Sequence, residues 1–157
     1  MTTTVFHRLL AQALPHCNQR EAAGWPCEGT NRRHWQTIAA EGRWRVCIRV
    51  EPDCDCGPDY EVPPPIGTEW VGVVVQLQDQ YGKAWRTKST WAVESPGMRT
   101  VDPTEWQQCE AHIAEVAADL VRELLYSPIG LISNIEGEIA ERQSMIAELQ
   151  EIASVAA

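Results

Sequence analysis

From Arg43 to Val50 apolar and polar side chains alternate: Trp44, Val46, Ile48 and Val50 point one way, and Arg45, Cys47 and Arg49 the other. A period of two over eight residues predicts a half-buried strand. Trp70 to Gln78 reads as a central strand with Val71, Val73, Val75 and Leu77 on one face. Ala84 to Val93 reads as a third, with Trp85, Thr87, Ser89, Trp91 and Val93 alternating against Arg86 and Lys88. The Gln80-Tyr81-Gly82 segment between these two suits a hairpin, so they are expected as antiparallel neighbours.

Elsewhere the period is that of a helix. Val5 to Leu14 is a short amphipathic candidate ended by Pro15, Cys17 to Arg33 is loop-like, and Trp35 to Ala40 is expected as a short helical turn. Glu51 to Gly67 holds five prolines and cannot be regular structure. Asp102-Pro103-Thr104-Glu105 combines an N-cap acid, a proline at the first helical position and a nearby Glu, and predicts a helix running to about Tyr126. Its apolar stripe is Trp106, Cys109, Ile113, Val116, Ala117, Leu120 and Leu124. After the break at Ser127-Pro128-Ile129-Gly130, Ser133-Asn134-Ile135-Glu136 repeats the capping pattern and is expected to open a last helix. Along it Ile132, Ile135, Ile139, Ile146 and Leu149 keep a seven-residue rhythm with Arg142 in one apolar slot.

These elements predict an α+β fold: a small antiparallel sheet of about three strands packed on a long helix, with a C-terminal helical arm or helical hairpin. Residues 1–130 form one α+β domain. Residues 131–157 form an acidic C-terminal helix, either part of that domain or a dimerisation arm.

Charge is distributed unevenly over this framework. Residues 1–100 balance eleven Lys/Arg against eleven Asp/Glu, whereas residues 101–157 set only Arg122 and Arg142 against eleven acids, so the net −9 arises there. A surface of that sign repels nucleic acid and anionic membranes and attracts basic partners. The last helix is therefore the expected interaction element: Ile135, Ile139, Arg142, Ile146 and Leu149 form its seam, and Glu136, Glu141, Glu148 and Glu151 its outer face. The functional expectation is a non-catalytic protein-binding or inhibitor-like module. It presents acidic helices to a basic protein surface, such as that of a nucleic-acid-binding enzyme, and self-associates as a homodimer or other homo-oligomer through the seam. The competing possibility is that the last helix folds back on the preceding one and completes the core.

Two further surfaces carry candidate chemistry. Arg45, Arg49, Arg86 and Lys88 are expected together on the polar sheet face beside Trp70, an arrangement some folds use for single-stranded nucleic acid. A sequence pI of about 4.9 argues against direct nucleic-acid binding. In the acidic loop, Cys54 and Cys56 could supply two zinc ligands, with Cys109 and His112, three apart on the helix, supplying two more. The alternative function is accordingly a zinc-stabilised structural or adaptor domain; no other cofactor is implied. Asp53, Asp55, Asp59 and Glu61 alternate like calcium ligands but depart from the twelve-residue loop pattern. No nucleophile elbow, phosphate loop or H-E-x-x-H motif is present, so no enzyme is expected. A thiol nucleophile would need a cysteine of depressed pKa. With no apolar run of membrane-spanning length, no membrane association is expected. Met1 to Cys17 lacks the charge and cleavage pattern of a signal peptide, so a cytoplasmic location is expected, with the cysteines as reduced thiols or metal ligands.

Overall fold

The computed structural model describes residues 4–17, 35–52, 68–96 and 103–156. Along them run α1 (Val5–Cys17), β1 (Gln36–Glu41), β2 (Trp44–Pro52), β3 (Thr68–Asp79), β4 (Ala84–Pro96), α2 (Pro103–Leu124) and α3 (Ile129–Ala156). The chain divides into two units, Met1–Tyr126 and Ser127–Ala157.

The first unit is α+β, and its sheet has four strands where about three were expected. All pairs are antiparallel, in the order β1-β2-β3-β4. The added strand is β1, which replaces the helical turn predicted at Trp35 to Ala40. Gly42 holds φ at 56°, a left-handed value suited to the two-residue loop that pairs Glu41 with Trp44. A register shift between Thr37 and Ala39 buries Ile38 and Ala39 consecutively and hides the alternation that would have marked the strand.

The predicted faces of β2 and β3 are found. Val46, Ile48 and Val50 lie opposite Leu77, Val75 and Val73, and all six are essentially fully buried. α1 packs on β1, α2 packs on β3 and β4, and the two helices touch, so both cover this one face. They contribute Leu9, Ala13 and Cys17 from α1 and Ile113, Ala117, Val121 and Leu124 from α2. α1 continues through Pro15 instead of stopping there. So close to the helix end, the proline removes little of the hydrogen-bond ladder.

The β3-β4 hairpin is closed by the Asp79 carboxylate, which accepts the backbone N–H groups of Tyr81 (2.8 Å) and Lys83 (3.1 Å) and the Trp85 indole N–H (3.1 Å). These bonds, the indole's first, hold the Asp79 carboxyl below its ordinary pKa. Gly82, at φ 83°, supplies the left-handed turn residue.

β4 is not regular. Val71 pairs with Val93 but Val73 pairs with Thr90, so an extra β4 residue is accommodated between them. The bulge puts Val93 on the buried face and leaves Trp91 over Gly72 on the other, separating two residues expected to share a side.

On the second sheet face a polar chain crosses all four strands. Thr37 Oγ1 lies 3.6 Å from Cys47 Sγ, which donates to Gln78 Oε1 (3.5 Å); Gln78 Nε2 donates to Gln76 Oε1 (2.8 Å), and Gln76 Nε2 to Thr87 Oγ1 (3.2 Å). Gln78, a buried polar side chain, is thereby satisfied.

In the second unit, α3 begins at Ile129, one turn before the expected Ser133 start, because Ser127 and Pro128 already form a helix entry. Ser127 Oγ accepts the Ile129 N–H (3.3 Å), and the Pro128 carbonyl accepts that of Ile132 (2.9 Å).

Candidate protein-interaction surface

The seven-residue rhythm of the sequence becomes an exposed stripe on α3. Leu131 is buried and Ile135 half-buried. Beyond them Ile132 (50 %), Ile139 (50 %), Met145 (55 %), Ile146 (54 %), Leu149 (62 %) and Ile152 (65 %) are substantially exposed. Arg142 interrupts the stripe and reaches Glu138 one turn earlier, 3.9 Å away, the pairing its spacing suggests.

Glu136, Glu141, Glu148 and Glu151 are all exposed, and no ion pair holds them among the described residues. Residues 127–157 carry five Glu and one Arg. The acids of α2 differ: Asp119 pairs with Arg122 (2.7 Å) and Glu123 with Lys88 (3.6 Å), so part of that helix's charge is matched within the chain. All nine residues predicted for the interaction element thus fall on one helix. Met145 and Ile152, which widen its apolar side, escaped the sequence reading because they lie beside the heptad positions instead of on them.

The basic face predicted for the sheet is not formed. Arg45 and Arg49 lie opposite Gln78 and Val74, on the face away from the helices, whereas Arg86 and Lys88 lie opposite Leu77 and Val75, on the helix-covered side. Each cation is also engaged. Arg45 donates to the Gly42 (2.7 Å) and Trp44 (2.9 Å) carbonyls. Arg49 stacks on Trp35 at 4.5 Å and pairs with Glu51 (3.2 Å). Arg86 donates to the Leu124 carbonyl (3.0 Å), satisfying a helix-terminal acceptor, and Lys88 meets Glu123. Trp70 is half-buried, with its indole nitrogen enclosed.

Of the proposed zinc ligands, Cys54 and Cys56 lie outside the described residues, as do Asp53, Asp55, Asp59 and Glu61. Cys109 falls on α2, and His112, three residues on, is exposed. Among the described residues no three His, Cys, Asp or Glu side chains gather as a metal site. Cys17 and Cys47 are free, buried thiols. Burial pushes Cys17 up to about 11 against an opposing Arg122 charge, and raises Cys47 against a Thr37 hydrogen bond and the Arg45 charge. Neither is an activated nucleophile. His7, His16 and His112 are exposed on their helices.

An open groove of about 570 Å³ runs between α1 and α2, lined by Leu14, Pro15, Glu115, Ala118, Asp119 and Arg122 among others. Its one cation is already paired with Asp119, leaving no convergent set of polar groups to orient a ligand. No described helix is long and apolar enough to cross a membrane. No protein-family model, curated protein or solved structure matches this chain.

Proposed function

We propose that the chain is a non-catalytic, inhibitor-like binding module that presents the acidic side of α3 to a basic protein surface, such as that of a nucleic-acid-binding enzyme. The observation that carries this reading is that Glu136, Glu141, Glu148 and Glu151 are all exposed on α3, with no ion pair to hold the carboxylates among the described residues. Like charges on one helix cost stability and contribute nothing to its packing; a basic partner turns that cost into steering and specificity.

The test is binding of the full chain to a panel of purified basic nucleic-acid-binding enzymes, read by calorimetry at low and high salt. Binding that weakens with salt, and is lost when residues 131–157 are removed, supports the reading. Binding left unchanged by that truncation refutes it.

A further inference from the structure

We draw no further inference here: the strongest candidate, the open groove between α1 and α2 floored by Leu14, Pro15 and Ala118 and edged by the Asp119–Arg122 pair, is an apolar surface, and nothing in the structure shows what covers it.

Discussion

Replacing Gly72 by alanine drives a methyl group into the ring of Trp91. An ideal Cβ at this position stands 2.2 Å from Cε3, 2.3 Å from Cζ3 and 2.8 Å from Cδ2, distances no real contact tolerates, so the indole must move. Trp91 is 45 % exposed, which leaves it one outlet, a swing toward solvent. A tryptophan presents up to ~250 Å², and losing all of its present cover would cost about 3 kcal/mol at ~25 cal/mol per Å². A partial slide costs less, within the ~1–3 kcal/mol usual for overpacking. Against this, alanine is better than glycine in a strand by about 0.5–1 kcal/mol. The expected net loss is therefore about 1–2 kcal/mol, read as a lowered urea midpoint followed by far-ultraviolet circular dichroism. Repeating the substitution in a Trp91→Ala background supplies the control. With the ring gone, Gly72→Ala is expected to stabilise by about 0.5–1 kcal/mol, a reversal of sign. The same loss in both backgrounds would refute the argument, because the strain would then not lie between these two residues.

Asp79 makes stability pH-dependent at the acid end. Its folded pKa lies below the ordinary 3.8, so its contribution is fully present above 3.8 and lost as pH falls through the depressed folded value. Asp79→Asn is expected to flatten the urea midpoint against pH in that window; an unaltered profile would refute the assignment. Cys17 acts at the alkaline end: with its pKa raised from 9.0 to about 11, the native state loses stability as pH rises from 9.0 through about 11. Peptide mapping after alkylation at pH 8 should find Cys17 and Cys47 unmodified in the native chain and modified in urea, and rapid native labelling of either would contradict their burial. Arg86→Met keeps the stem and removes the guanidinium that meets the Leu124 carbonyl. A loss of about 1–2 kcal/mol is expected for this charged hydrogen bond, measured by urea unfolding.

The core strands β2 and β3 were legible because the side chains on the helix-covered face, Val46, Ile48 and Val50 in β2 and Val71, Val73, Val75 and Leu77 in β3, recur at every second position without a register shift between the two strands. The sequence also marked α2, whose Asp-Pro entry and apolar stripe are local signals. β1 and the end of β4 were misread for one reason: each contains a register irregularity, and one extra residue reverses the side on which every later side chain falls. The expected basic sheet face failed through the same kind of error, since alternation within β4 says nothing about which side β3 aligns with the side of Arg45 and Arg49. Only the pairing of Leu77 with Arg86 and of Gln78 with Arg45 decides that.

The candidate surface shows the same division. Sequence by itself determined the seven-residue rhythm of α3, the place of Arg142 within it and the carboxylates behind it, because helical geometry converts spacing directly into faces. Tertiary structure decided how the cations of the sheet are used. Exposure and ion pairing depend on residues distant in sequence, as when Lys88 meets Glu123 and Arg86 meets Leu124, and no local period records such partners.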